Sequence, residues 1–173
     1  MSAARDNRAV DELPFLRRAK VITVSDGVVA GNREDRSGAA VEARLAQDGW
    51  HVMERIVVAD GVEPVANALR QAAAGFSGLL VTTGGTGFAP RDLTPEGTRS
   101  VLDREAPGLA EAMRAANPAK GRLSRGAAGT LGGCIVLNTP GSTAGAVESV
   151  DAVLDVLPHA LALLAEEPTR HPS

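Results

Sequence analysis

The chain has 173 residues, 44% of them hydrophobic but only 2% aromatic, and a formal net charge of −3. That is enough apolar material for one sizeable core built from Val, Leu, Ile and Ala. It argues against a basic nucleic-acid binder and against a base-stacking surface, and no apolar stretch is as long as a membrane span.

Residues 1–18, "MSAARDNRAVDELPFLRR", read as a polar N-terminal extension without the apolar core of a signal peptide, in which Leu13, Phe15 and Leu16 could dock on the body or on another subunit. The body spans 19–166, and 167–173 form a flexible tail. "KVITVS" (20–25) is a β-branched run and predicts a first strand, followed by a loop, "DGVVAGNREDR". "SGAAVEARLAQDG" has apolar residues at helical spacing, a Ser at its start and a Gly at its end. "WHVMERIVVA" first alternates and then becomes continuously apolar, as a strand entering a core would. "VEPVANALRQAAAG" predicts a second helix and "GLLVTTG" a third strand. Strand, helix, strand, helix, strand implies a right-handed, parallel α/β arrangement with helices on both faces.

"TPEGTRSVLDREAPG" reads as a helix with Thr94 as N-cap and Pro95 at the first helical position; Gly97 stands where a capping box would have Glu. "GLAEAMRAAN" predicts another helix, "GRLSRGAAGTLGG" loop or hairpin, "CIVLN" a buried strand, and "STAGAVESVDAVLDVLPHALALLAEE" one helix or two joined near Pro158. The single cysteine, Cys134, excludes an internal disulfide and a multi-Cys metal site and reads as a small buried apolar residue, which fits the cytosol. His51, His159 and His171 are scattered and read as non-catalytic.

The informative stretch is "TTGGTGFAPRDLTPEG", residues 82–97. It follows a predicted parallel strand, and ligands of open α/β sheets bind beyond the carboxyl ends of such strands. Gly84, Gly85 and Gly87 let consecutive amides converge on an anion, and Thr83 and Thr86 add hydroxyls. It is neither Gly-x-x-x-x-Gly-Lys-Ser/Thr nor Gly-x-Gly-x-x-Gly. A tight strand-to-helix turn is the plain alternative. The adjacent Asp92 favours binding, because a carboxylate beside phosphates can hold Mg²⁺. Three further polar strand ends stand in the chain: Ser25-Asp26 with Asp35-Arg36-Ser37-Gly38, then Asp60, and then Asn138, Pro140, Gly141 and Ser142. Each alone reads as a loop or a helix cap. Together, on one sheet edge, they favour a shared pocket.

In the same order along residues 20 to about 165, "TVSDGVVAGNREDRSG", "VVAD", "TTGGTGFAPRDLTPEG", "EAPGL", "SRGAAG" and "LNTPGS" resemble the motifs of the MogA/MoaB family of molybdenum-cofactor biosynthesis proteins, whose relatives include the G domain of gephyrin. The resemblance implies a three-layer α/β/α sandwich with a mostly parallel sheet, commonly trimeric. It implies a molybdopterin adenylyltransferase, which joins AMP from ATP to the terminal phosphate of molybdopterin, releases pyrophosphate, requires Mg²⁺ and hands its product to a molybdenum insertase. Carried over residue by residue, Asp60 and Asp92 are the catalytic and metal-organising candidates. Gly84, Gly85, Thr86, Gly87, Asn138, Pro140, Gly141 and Ser142 are candidates for the nucleotide. Ser25, Asp26, Asp35, Ser37, Gly38, Ser124 and Arg125 are candidates for the pterin. The sequence departs from its relatives at Ala59 and Gly61 around Asp60, and at Thr143-Ala144-Gly145 after "NTPGS", where relatives often carry a second Pro with Lys or Asn. A non-catalytic pterin- or nucleotide-binding paralogue is the alternative. An insertase or competence-damage-type hydrolase domain is a third reading, and the Arg91-Asp92-Leu93-Thr94-Pro95 run weighs against it.

Overall fold

The computed structural model describes residues 17–165. The polar extension, apart from its last two residues, and the tail lie outside the described residues, as do Leu13, Phe15, Leu16 and His171. The strands are β1 (Arg18–Val24), β2 (His51–Val58), β3 (Gly78–Thr83), β4 (Arg104–Glu105), β5 (Ala128–Leu131) and β6 (Cys134–Thr139). The helices are α1 (Asp26–Val29), α2 (Arg36–Gln47), α3 (Val62–Ala73), α4 (Thr94–Arg99), α5 (Pro107–Ala115), α6 (Thr143–Asp151) and α7 (Leu157–Ala165), with a 3₁₀ turn at Gly121–Leu123.

The six strands form one sheet in the order β2-β1-β3-β6-β5-β4. β2, β1, β3 and β6 are mutually parallel, and β5 runs antiparallel to both β6 and β4. The inner strands β3 and β6 are buried at every position, as expected where helices cover both faces. Side chains alternate across the sheet. Ala19, Val21, Leu79, Val81, Ile135 and Leu137 point to a core shared with α2, α5, α6 and α7. Ile22, Val24, Leu80, Cys134 and Val136 point to a core shared with α3. The α/β/α sandwich expected from the sequence is thus formed, and Cys134 is buried as expected.

The chain leaves β1 to one side for β2 and returns on the other side as β3. This reversal opens a crevice beyond the carboxyl ends of β1 and β3. The loops after β1, β2, β3 and β6 all reach that edge.

Several local expectations are corrected. The apolar second half of "WHVMERIVVA" does not enter the core. β2 is an edge strand with no buried residue, and Met53 and Val57 are exposed; among the described residues its only partner is β1. The "DGVVAGNREDR" loop begins with the single turn of α1, capped by Ser25 Oγ accepting from the Val28 amide at 3.2 Å. The helix expected over 94–108 stops at Arg99, and Arg104-Glu105 pair with β5 instead. Of the two readings of the last helical region, the second holds: it is two helices, α6 and α7, meeting near Pro158. Thr94 is inside the first turn rather than at the cap, which falls on Leu93 without a side-chain bond.

Gly97 has a packing reason. A Cβ there would lie 2.7 Å from the Val62 carbonyl oxygen and 2.9 Å from Val65 Cβ, both on α3. Alanine ordinarily gains about 1 kcal/mol over glycine within a helix. Overpacking against a helix backbone costs about 1–3 kcal/mol and dominates. Gly97→Ala is therefore expected to lower the unfolding free energy by about 1–2 kcal/mol, read as a lower urea midpoint with an unchanged m-value.

Candidate functional site

At the end of β3 the chain turns through two glycines in the left-handed region, Gly84 at φ +97° and Gly85 at φ +67°. A Cβ on Gly84 would collide with the Val24 carbonyl at the end of β1, and one on Gly85 would collide with Thr94 Oγ1. Neither position tolerates a side chain, so the backbone itself lines the cleft here. Thr94 ties the turn from below. Its hydroxyl donates to the Gly84 carbonyl at 2.9 Å and its amide donates to the Gly85 carbonyl at 3.0 Å.

Beyond Gly87, the Asp92 amide donates to the Ala89 carbonyl at 2.9 Å, closing a turn with Pro90 at its second position. Asp92 Oδ2 accepts the Ala89 amide at 3.0 Å and lies 2.9 Å from where a Gly87 Cβ would be. Asp60 approaches the same loop from the end of β2. Its Oδ2 accepts the Asp26 amide at 2.9 Å, while Oδ1 lies 3.2 Å from a Gly85 Cβ position. Asp60 is not the cap of α3. Gly61, at φ +125°, takes that place, which leaves the carboxylate facing the loop. The two carboxylates therefore flank one glycine loop, at Gly85 and at Gly87.

Two arginines hold this loop. Arg125 Nε donates to the Gly87 carbonyl at 2.7 Å, its Nη2 donates to the Asp92 carbonyl, and its Nη1 pairs with Glu96. Arg125 depresses the Glu96 pKa below the ordinary glutamate value, against the opposing effect of burial. On the other side, Arg91 Nε donates to Asp26 Oδ2 at 2.6 Å and holds the Asp26 carboxyl below its ordinary value.

The cleft at this edge has a volume of about 1330 Å³. Ser25, Asp35, Ser37, Asp60, Gly84, Gly85, Thr86, Gly87, Asp92, Ser124, Asn138, Pro140, Gly141 and Ser142 all line it, so the predicted loops do converge. Asp26, Gly38 and Arg125 are not on the lining. Asp26 is engaged by Arg91 and by the Asp60 amide, and Arg125 by the glycine loop. The Gly38 amide donates to Asp35 Oδ1 at 2.9 Å, which makes Asp35 the N-cap of α2. Asp35 also accepts from Thr23 Oγ1 at 2.8 Å and from Arg55 at 3.1 Å. Ser37 Oγ bonds Thr83 Oγ1 at 2.9 Å, and the buried Asn138 amide donates to Thr82 and Thr98 while its oxygen accepts from the Ala127 amide. Asp35 and the Asn138 side chain thus build the walls at least as much as they face a ligand.

The sequence reading missed one wall. Ala110, Met113, Arg114 and Asn117 line the cleft from α5 and just beyond it, joined by Lys120 and Leu123. Their spacing of three and four residues is one helix face, a signal legible in "GLAEAMRAAN". Arg33 and Arg36 line the opposite side. The N-terminus of α6, capped by Ser142, opens onto the same cleft. Glu34, Asp35, Asp60, Asp92 and Glu148 line the same cleft, so cations and carboxylates share it.

Magnesium can be tested against these donors. Mg²⁺ prefers one or two carboxylates and takes its remaining oxygens from water and phosphate. Asp60 and Asp92 each keep one carboxylate oxygen without a hydrogen bond, and no cluster of three or more His, Cys, Asp or Glu forms a protein cage among the described residues. Two hard oxygen donors beside an amide cradle fit an ion shared with phosphates.

Comparison with known proteins gives the family. Residues 20–159 match the family model described as a probable molybdopterin binding domain. The molybdopterin adenylyltransferase of Pyrococcus furiosus is 35% identical over 154 residues, covering 84% of this chain and 88% of that protein. The molybdenum cofactor biosynthesis bifunctional protein of Synechococcus elongatus is 37% identical over 149 residues, 84% of this chain; the chain spans about half the length of that relative, 47%. The crystal structure of MoaB from Thermus thermophilus superposes with a TM-score of 0.80 at 46% identity, covering 87% of this chain and 98% of that one.

The Glu96–Arg125 pair makes a pH prediction. Because the folded-state pKa of Glu96 is depressed, its contribution is complete above the ordinary glutamate value and is lost as pH falls through the lower folded value. Glu96→Gln is expected to reduce stability at neutral pH and to flatten the acid limb. Urea unfolding of both proteins between pH 3 and pH 7 (about the carboxylate range and above it) measures this.

Proposed function

This chain belongs to the molybdopterin-binding-domain family of molybdenum-cofactor biosynthesis proteins, and on that premise we propose that it is a molybdopterin adenylyltransferase. The terminal phosphate of molybdopterin attacks the α-phosphorus of ATP. The bond from that phosphorus to the bridging oxygen of the β-phosphate breaks, and pyrophosphate leaves with the electron pair. The nucleophile is already an anion, so no strong general base is needed. Such a transfer requires alignment and neutralisation of charge.

The observation that carries the proposal is the placement of Asp60 and Asp92 on either side of one glycine loop. The cleft exceeds the roughly 300–1,000 Å³ of a single small-ligand pocket, which supports two substrates side by side. The amides of Gly85, Thr86 and Gly87 cradle the nucleotide phosphates, with Pro140, Gly141 and Ser142 closing the far side. Ser25, Ser37 and Ser124 face the pterin end. Asp60 and Asp92 would hold Mg²⁺, which when bound supplies the positive charge that offsets the crowded phosphates. A homotrimer and delivery of the product to a molybdenum insertase belong to the same proposal.

A second reading, a binding subunit without catalysis, draws on the α6 end of the cleft. Thr143, Ala144 and Gly145 line it with short side chains where relatives often have longer ones. One experiment separates the two. Incubated with molybdopterin, ATP and Mg²⁺, the protein is expected to form adenylylated molybdopterin and pyrophosphate. Asp92→Asn and Asp60→Asn should cut the rate by on the order of 10²–10³-fold with the circular-dichroism spectrum unchanged, since asparagine can still accept the backbone bonds. Pterin binding with no product from wild type would replace the transferase by the binding subunit.

A further inference from the structure

Arg91 and Asp26 make more contacts than a surface ion pair needs. Arg91 stands at the third position of the Ala89–Asp92 turn, next to Asp92. Its Nε and Nη2 donate to the two oxygens of Asp26 at 2.6 and 3.2 Å, and Nη2 also donates to the Asp60 carbonyl at 3.0 Å. Asp26 and Asp60 are joined reciprocally. The Asp26 amide donates to Asp60 Oδ2 at 2.9 Å, and the Asp60 amide donates to Asp26 Oδ1 at 3.1 Å. One guanidinium therefore links the loops after β1, β2 and β3.

Stability is a poor explanation of this network. The Arg91 and Asp26 side chains are 65% and 45% exposed, and exposed pairs contribute little to folding. What the network does supply is direction. Asp60 has one oxygen tied by the Asp26 amide and its carbonyl tied by Arg91, which leaves its Oδ1 turned to Gly85. A two-pronged guanidinium imposes geometry that a lysine point charge does not.

We propose that Arg91 is a positioning residue: through Asp26 it latches the glycine loop across the ends of β1 and β2 and sets the rotamer of Asp60. On this account Asp26 is part of the latch and makes no contact with the pterin. Only the kinetic arm of the test rests on the transferase reading; the other is read in protein without ligand.

Amide hydrogen exchange by NMR on Arg91→Ala, Arg91→Lys and Asp26→Asn measures the latch directly. The Asp26 and Asp60 amides are expected to exchange at least about tenfold faster in Arg91→Ala and Asp26→Asn. Arg91→Lys should recover only part of the protection, and β3 and β6 should be unaffected. Unchanged exchange at Asp26 and Asp60 overturns the proposal. So does an equal loss of protection in β3 and β6, which would make Arg91 a general stabiliser. In the adenylylation assay Arg91→Ala should lower kcat about tenfold or more with the KM for molybdopterin unchanged. A rise in that KM alone would identify Asp26 and Arg91 as pterin contacts and end the latch. If wild type forms no product, the exchange arm decides alone.

Discussion

The site depends on a steric constraint. Two adjacent residues, Gly84 and Gly85, adopt positive φ where a side chain would strike the Val24 carbonyl and the Thr94 hydroxyl. For an L-residue this backbone costs about 1–2 kcal/mol before any collision is counted. Glycine removes both costs, and the strand can turn sharply while staying in contact with β1 and α4. Gly85, Thr86 and Gly87 after the turn line the cleft. Asp60 and Asp92 approach Gly85 and Gly87 closely, and a Cβ at either position would crowd their carboxylates.

The residues that follow keep the turn from relaxing. Thr94 bonds both glycine carbonyls, Glu96 anchors Arg125, Arg125 bonds the carbonyls of Gly87 and Asp92, and Gly97 lets α4 lie close against α3. Within the Thr-Pro-Glu-Gly run, Thr94 ties the loop directly, Glu96 ties it through Arg125, and Gly97 seats α4 on α3. That accounts for a motif far more constrained than a helix start requires. The floor beneath is polar and closed: Thr82, Thr98 and Asn138 satisfy one another out of water, and a fully paired buried network is stiff.

Most of the layer architecture was legible in the sequence, because the inner strands are continuous apolar runs and helices α2, α3 and α5 carry helical spacing. The convergence of loops was legible too, since strand order in an open sheet sends them to one edge. The errors have physical causes. β2 looked buried because Ile56, Val57 and Val58 are apolar, but strand position is decided by sheet order, and β2 lies at the edge. Thr94 looked like a cap because Thr-Pro-Glu is a cap pattern, yet a tertiary bond to Gly84 outweighed it. Arg125, a pterin candidate through the resemblance alone, also holds the glycine loop. Its partners are carbonyls 33 and 38 positions away in the chain, which no local pattern reports. The α5 wall was legible and went unread.

At the glycine loop the cleft is lined by backbone, while its walls are lined by side chains. These two kinds of surface age differently. A substitution on the floor breaks the turn that makes it, whereas Lys120, Asn117, Thr143 and Ala144 lie on the lining and outside the ties that hold the loop. Change therefore has an open route along α5 and the start of α6, while the glycine turn beneath stays the same.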